Sequence, residues 1–507
     1  MSRVKEVLPV LLKDGYKVGH IFQYPKDTKY VYSNFTPRSS RTGFDYVMFF
    51  GLQYFLIEYL QHNFNENFFS QPKERVLKAY KRRIDNYLGK DAVTTDHIAK
   101  LHDLGYLPLK IKAIAEGTLV PMNVPVMTIV NTKPEFFWLT NMLETLLSNI
   151  LWKPCTSATT AFRYRRAFEK YARETGGPLG FVGWQAHDFS YRGMAGSEDA
   201  MLSGAAHLLS SFGTDTIPAI DLLEEYYGAD SDKELVGGSV PATEHSVMSM
   251  GSFEKEEDTY RRLLTEVYPK GIVSIVSDTW DFWSVIYTIL PKLKDVILAR
   301  DGKLVIRPDS GDPVDIICGT DEPYVDSHGT PILGKEFKSM GAIRSLWEIF
   351  GGKVNEAGYK ELDSHIGLIY GDSITLERQE QILSKLKAKG FASTNIVLGI
   401  GSYTYAYVTR DTYGFAMKAT WGETESRGEI EIFKNPKTDA DVGGSHSKKS
   451  HKGLLSVRKD ENGKLYCKQQ CSKAEEAEGL LETVFENGKL TKFQTLSEIR
   501  KRVEEQL

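Results

Sequence analysis

Ten residues, Gly237-Gly-Ser-Val-Pro-Ala-Thr-Glu-His-Ser246, set a carboxylate and an imidazole side by side behind a glycine pair. The apolar run Val247, Met248 and Met250 follows, so the stretch reads as a strand end or loop delivering His245 to the start of a helix. Backbone N–H groups point outward at such a start and favour anions. A solvated cap histidine would use the same residues.

Other stretches have the same character. His187-Asp-Phe-Ser-Tyr-Arg-Gly193 packs two aromatics, an arginine and an aspartate into seven residues. A ring there can stack a flat ligand and a guanidinium can bind phosphate or carboxylate, although a core Phe189 and a salt-bridged Arg192 fit equally well. Gly213-Thr-Asp-Thr216 can aim Asp215 at a ligand N–H, or be a common turn. In Arg307-Pro-Asp-Ser-Gly-Asp-Pro313 the prolines stiffen a turn whose carboxylates suit ribose hydroxyls or magnesium. Gly399-Ile-Gly-Ser402 offers bare backbone N–H groups to a phosphate, but lacks the Lys-Ser/Thr of a P-loop and the third glycine of a dinucleotide fingerprint. Arg410, Lys418, Lys434, Lys448 and Lys449 follow, as solvated charges or as anion contacts. Together these groups suit a phosphorylated sugar plus a planar ring.

The elements that must position them come in two styles. Up to about residue 155 the chain is mixed: an aromatic strand at Tyr30–Phe35, a basic amphipathic helix within 71–90, and an apparent antiparallel meander over Leu109–Val130. From about Thr156, helical stretches alternate with short apolar strands at 271–276, 304–306, 365–370 and 396–398, each ending in a Gly/Asp/Ser-rich turn. That alternation predicts βα units, whose functional groups collect at the C-terminal strand ends. We therefore expect an α/β chain: an irregular (β/α) barrel over 156–405 with a surface insertion at about 318–363, and a mixed α+β domain built from 1–155 and 406–507.

The chain has 507 residues and a net charge of −4, which gives no global basic field for nucleic acid. No apolar run approaches the ~18 residues needed to span a bilayer, and the first residues, Met-Ser-Arg-Val-Lys-Glu, carry no signal-peptide pattern. Of the cysteines only Cys467 and Cys471 are close, and no second pair or histidine completes a zinc site. The expectation is a reducing, cytoplasmic location.

Seven stretches, Asp14-Gly-Tyr-Lys17, Gly51-Leu-Gln-Tyr54, His187-Asp-Phe-x-Tyr-Arg-Gly193, Gly213-Thr-Asp-Thr216, Ser239-Val-Pro-Ala-x-Glu-His-Ser246, Ser274-x-Val-Ser-Asp278 and Arg307-Pro-Asp-Ser-Gly311, closely resemble the nicotinamide phosphoribosyltransferase family over nearly the whole chain. The resemblance implies a homodimeric type II phosphoribosyltransferase with active sites at the subunit interface. It would join nicotinamide to 5-phosphoribosyl 1-pyrophosphate, with Mg2+ accompanying the pyrophosphate and no metal site of its own. It implies that Phe189 and the partner's Tyr16 sandwich the pyridine ring, that Asp215 meets the carboxamide, and that Arg192 and Arg307 serve the phosphate end and the base pocket. Asp14, Ser239 and Ser274 fall among the substrate contacts, Asp309 on the ribose, and Gly371, Asp372, Gly401 and Ser402 along the ribose-phosphate site. Arg410, Lys418, Lys434 and Lys448 match phosphate contacts, some given across the dimer. His245 matches the histidine that the family phosphorylates with ATP as coupling co-substrate, with Glu244 and Asp278 orienting the ring. Ser402 stands where the family has glycine, and Ala416 where it has a phosphate-contacting serine. The rival readings are a nicotinate phosphoribosyltransferase, disfavoured because the Asp215 carboxylate repels a second carboxylate, and a binding or signalling protein with a relic site.

Overall fold

Alternate residues of the strand Asp301–Arg307 face opposite ways, as a pleated strand requires. Leu304 and Ile306 are fully buried in a core with the surrounding helices, whereas Lys303, Val305 and Arg307 look into a cavity. The same division places Val273 and Ile275 of the strand Lys270–Val276 outside and Ile272 and Ser274 inside. Six strands share the arrangement in one parallel sheet, in the order Gly213–Thr214, Ala186–Asp188, Ile396–Ile400, Ile366–Tyr370, Asp301–Arg307, Lys270–Val276.

The curled sheet leaves a gap between its two edge strands, and the glycine-led stretch spans it. Gly238 bridges Gly213 on one side and Ala242 bridges Ser274 on the other, both in parallel sense. The Thr214 N–H donates to Gly238 O at 3.0 Å and the Ser274 N–H to Pro241 O at 2.9 Å, so hydrogen bonding runs around the whole ring. Residues past the strap turn into the helix His245–Met250, with Glu244 in the N-cap position.

The computed structural model describes residues 7–320, 328, 336–371, 373–434 and 450–507. They divide into two units: Met1–Thr159, Leu222–Ala229 and Val408–Gln506 in one, and Thr160–Asp221 with Asp230–Tyr407 (and Leu507) in the other, which holds the parallel ring. Leu222–Ala229 thus groups with the first unit, a division that differs from the continuous 156–405 segment expected from sequence.

The first unit is built on a seven-stranded antiparallel sheet that interleaves the two ends of the chain: Thr28–Thr36 pairs with Ala416–Thr424, and Leu109–Ala113 with Glu482–Glu486. The expected meander is only partly present. Leu109–Ala113 pairs with Met127–Asn131, but the intervening Leu119–Pro121 pairs instead with Tyr46–Met48 in a separate ribbon.

The segment expected to be a surface insertion is in part core. Its helix Ala342–Phe350 buries Ile343, Leu346 and Phe350 among the barrel's hydrophobic residues, because its apolar side chains recur at helical spacing. The hairpin Gly352–Val354 with Lys360–Leu362 follows, and Glu361 and Leu362 reach the cavity. Among the described residues, no helix is long and apolar enough to cross a membrane, and all four cysteines are free thiols.

Candidate active site

The inner faces of the ring enclose a cavity of about 540 Å³, within the roughly 300–1,000 Å³ usual for small-ligand pockets. Five of the residues picked out from sequence line it: Phe189, Asp215, Ser239, Ser274 and Arg307. All lie at or near the C-terminal ends of parallel strands or on the strap. Deeper in, Val240, Ile272, Val305 and Val397 make the walls apolar, and Lys303, Glu361 and Asn395 return polarity.

Asp215 is the most constrained group at the mouth. His187 Nε2 lies 2.8 Å from its Oδ1, and Ser239 Oγ donates to the same oxygen at 2.8 Å. Burial pushes the Asp215 pKa up, but the His187 and Ser239 hydrogen bonds, the charge His187 carries when protonated and the Arg307 charge outweigh it and hold the carboxyl below its ordinary value. Its backbone is anchored from behind by Asp188, a fully buried carboxylate that accepts from Thr216 Oγ1 at 2.7 Å and Thr214 Oγ1 at 3.3 Å. Sequence reasoning quoted His187 within a motif and gave it no role. The available signal was its place two residues before Phe189, the spacing that puts two side chains on one face of an extended stretch.

Phe189 can lie across the ring's inner surface because position 399 has no side chain: a Cβ on Gly399 would fall 2.6 Å from the Phe189 ring. Ser274 Oγ is buried without a protein partner and borders the cavity, so a ligand group is its natural complement. Arg307 donates from Nη2 to Thr243 O at 2.6 Å, while its Nε stands 3.9 Å from the Asp309 carboxylate.

Next to Arg307, Asp278 Oδ2 accepts from the Asp309 N–H at 2.8 Å and from Ser310 Oγ at 2.6 Å. The other oxygen, Oδ1, is buried without a hydrogen bond and lies 4.0 Å from His245 Nε2. His245 is half exposed, and its Nδ1 is 3.0 Å from Thr279 Oγ1. Glu244, expected to orient this ring, accepts instead from Ser246 Oγ. A residue preceding the helix points its carboxylate along the first turn, away from the neighbouring imidazole. Thr279 is the group hydrogen-bonded to the ring, and Asp278 faces it across 4.0 Å.

Gly371 sits so close to Asp309 that a Cβ would come within 2.4 Å of Oδ1. Gly401, by contrast, has open space around it, and Ser402 begins the short helix Ser402–Ala406. Ser402 Oγ lies where a Cβ on Gly193 would be, 2.0 Å away, so the Arg192 turn rests on it; Arg192 itself is exposed and does not line the cavity. Asp372 and Lys448 lie outside the described residues.

The remaining residues belong to the first unit. Tyr16 is 64% exposed, an outward-facing ring with Lys17 Nζ 5.2 Å from its centroid. Asp14 accepts from Thr145 Oγ1 at 2.7 Å. Arg410, Lys418 and Lys434 form a cationic cluster with Arg38, which sequence reasoning missed although it closes the Thr28–Thr36 strand as Pro37-Arg38. Burial lowers the Lys418 pKa, Glu144 at 3.9 Å raises it, and the Arg38, Arg410 and Lys434 charges lower it further. Burial and Arg410 likewise lower that of Arg38. Cations that repel one another in a part-buried cluster suit an anion. Ala416 is buried beside Thr36 and offers only a methyl.

Comparison with known proteins gives the family. A model of the nicotinate phosphoribosyltransferase family matches residues 184–489, and one for the N-terminal domain of nicotinamide phosphoribosyltransferase matches residues 9–111. A nicotinamide phosphoribosyltransferase of Acinetobacter baylyi is 54% identical over 98% of this chain and 97% of its own. Enzymes of the same description from Mycoplasma pneumoniae and Xanthomonas campestris are 36% identical (81% of this chain, 88% of the relative) and 32% identical (97% of each). Among solved structures, a nicotinate-nucleotide pyrophosphorylase from Pyrococcus furiosus superposes with a TM-score of 0.57 over 100% of this chain and 97% of that one. Human nicotinic acid phosphoribosyltransferase superposes with 0.56, over 97% and 93%. Each is 14% identical, so these two likenesses bear on the fold alone.

Proposed function

The chain belongs to the nicotinamide phosphoribosyltransferase family, and from that premise we propose that it transfers the phosphoribosyl group of 5-phosphoribosyl 1-pyrophosphate to nicotinamide, forming nicotinamide mononucleotide and pyrophosphate in NAD salvage. The observation that carries the choice of base is the Asp215 carboxyl at the cavity mouth, held below its ordinary pKa, with one oxygen taken by His187 and Ser239. The other oxygen accepts an amide N–H and repels a carboxylate.

The ring nitrogen of nicotinamide is already nucleophilic, so the site needs no general base. Its work is to align that nitrogen with the sugar's anomeric carbon and to stabilise the charge of the departing pyrophosphate. Phe189 supports the ring, Ser274 and Arg307 offer donors, and Asp309 meets the ribose. The basic cluster of Arg38, Arg410, Lys418 and Lys434 has the charge to hold phosphate. The exposed Tyr16 supports a homodimer in which Tyr16 of the partner subunit covers the other face of the ring.

Magnesium would enter with the pyrophosphate. Among the described residues no group of three or more His, Cys, Asp or Glu could hold a metal ion, and magnesium commonly keeps its waters and uses one or two carboxylates plus substrate phosphates. Asp278, with its buried unpartnered Oδ1, and Asp309 fit that demand. Bound there, the ion would neutralise leaving-group charge.

The same reading extends to ATP. A half-exposed His245 with Asp278 behind Nε2 and Thr279 at Nδ1 suits an imidazole that accepts a phosphoryl group and couples ATP hydrolysis to synthesis. The experiment is a rate comparison of nicotinamide and nicotinate, each with and without ATP. A clear preference for nicotinamide, enhanced by ATP, is expected; equal or better use of nicotinate overturns the choice of base, and indifference to ATP overturns the coupling.

A further inference from the structure

His187 borders the cavity and touches Asp215, yet takes no part in the bond exchange itself. Its side chain is 10% exposed, its ring packs on Phe189 with centroids 4.5 Å apart, and its Nε2 is 2.8 Å from Asp215 Oδ1. The tautomer follows from chemistry. An ionised carboxylate only accepts, so Nε2 carries the proton and donates it. In the neutral ring Nδ1 is then bare, and the next proton taken up goes there. That proton changes no heavy-atom contact at Asp215; it changes the charge beside it from zero to plus one.

The charged and titratable groups around the ring come from each packed element. Asp188 follows it on its own strand, held by the Ser190 N–H and the hydroxyls of Thr214 and Thr216. Asp215 comes from the neighbouring strand end and Arg307 from across the cavity, with Lys303 and Glu361 deeper in. His207 lies behind, its ring nitrogens engaged by Tyr405 Oη at 2.8 Å and Gly213 O at 3.1 Å. Burial lowers the His207 pKa, partly offset by the Asp188 charge. His187 is the imidazole of the pair that borders the cavity.

We propose that His187 sets the choice between an amide and a carboxylate on the pyridine ring: neutral, it leaves Asp215 as a net negative charge that accepts an amide N–H and repels a carboxylate, whereas protonated on Nδ1 it cancels that charge and the site admits the acid. Selectivity for the amide is then a property of the His187–Asp215 pair, strong with the ring neutral and weak with it protonated. The inference rests on the reading that Asp215 meets the ring's substituent.

The test is the ratio of kcat/KM for nicotinamide to that for nicotinate, with nicotinate also measured as an inhibitor of nicotinamide turnover, from about pH 6 to about pH 8. Effects of pH on the phosphoribosyl donor, and on groups that do not meet the base's substituent, act on both bases and cancel in the ratio. In the wild-type enzyme the ratio should fall as pH falls, by up to about tenfold per pH unit, and nicotinate inhibition should tighten in parallel. His187→Gln, which retains an N–H donor but cannot ionise, should hold the ratio flat. A flat wild-type ratio, an absence of nicotinate inhibition at every pH, or the same slope in His187→Gln overturns the proposal; the wild-type slope decides it should the variant fail to fold. Asp215→Asn separates the two levels of argument. If it keeps full discrimination, the reading of Asp215 is wrong; if it loses discrimination while the wild-type ratio is flat, that reading stands and the role of His187 falls.

Discussion

Two glycines two residues apart at one strand end should respond to the same substitution in opposite ways. Gly399 lies in the strand Ile396–Ile400, and a Cβ there would meet the Phe189 ring at 2.6 and 2.9 Å and the Gly371 Cα at 2.9 Å. Overpacking of this kind costs about 1–3 kcal/mol, against a gain of about 0.4–1 kcal/mol from a stiffer unfolded chain. Gly399→Ala should therefore lose on the order of 1–2 kcal/mol of stability. Its larger effect should be functional, because the atom that yields is the ring that supports the base: KM for nicotinamide should rise about tenfold, the equivalent of roughly 1.4 kcal/mol. Gly401 has nothing within 4 Å of its Cβ position and an extended backbone with φ −82° and ψ 176° that any residue adopts. Gly401→Ala should leave the ligand-free protein as stable as wild type or slightly more so, yet raise KM for 5-phosphoribosyl 1-pyrophosphate, because the methyl occupies the side from which a phosphate approaches the backbone N–H groups. Urea unfolding of both variants and initial rates with each substrate varied make the comparison. A wild-type KM for the phosphoribosyl donor in Gly401→Ala would refute the phosphate cradle. Wild-type stability and nicotinamide KM in Gly399→Ala would refute the steric argument for Phe189.

His245→Ala should abolish ATP hydrolysis and ATP-stimulated synthesis while leaving weak ATP-independent turnover; acid-labile incorporation of γ-phosphate into the variant equal to wild type would contradict the assignment. Arg38→Ala and Lys418→Ala should each weaken binding of the phosphoribosyl donor by about tenfold or more, as loss of a charge-assisted contact worth about 1.5–3 kcal/mol implies, and should flatten its dependence on salt, which titrations at two ionic strengths would show. Tyr16→Ala mixed with Phe189→Ala should recover part of the activity each lacks, because one site of a mixed dimer is intact; confirmed heterodimers without recovery exclude a shared site. Glu256 supplies a pH test of stability: burial, then the Asp281 charge, raises its pKa from 4.5 to about 7. A raised folded pKa means its contribution is complete below about pH 4.5 and is lost as pH rises through about 7, so Glu256→Gln should raise Tm above neutral pH and little at pH 5, and an unchanged Tm profile would count against the burial argument.

Local pattern was enough to show the parallel strands at 271–276, 304–306, 365–370 and 396–398, because each is a short apolar run stopped by Gly, Asp or Ser, and such runs need only their own residues to be read. It was enough also for the residues at their ends, since side-chain type limits chemistry wherever the chain goes. Phe189, Asp215 and Arg307 stand out by side-chain type and motif, Ser239 and Ser274 by the family resemblance, and all five meet in one cavity. The 342–350 helix was misjudged because charge and glycine around it hid an apolar stripe that only its packing partners make visible.

What tertiary structure decided is of a different kind. That residues 237–243 close the ring depends on two bridges to strands 25 and 32 residues away, Gly213 to Gly238 and Ala242 to Ser274, which no local period encodes. That Leu119–Pro121 leaves its neighbours for Tyr46–Met48 depends on which partner is in reach. That Glu244 turns to Ser246, leaving Asp278 to face His245, depends on the direction of one side chain at a helix start. The pairing of His187 with Asp215, 28 residues apart, is the plainest case. Sequence determined that a carboxylate and an imidazole were present; a hydrogen bond requires about 3 Å and a direction, and only the folded ring supplies both.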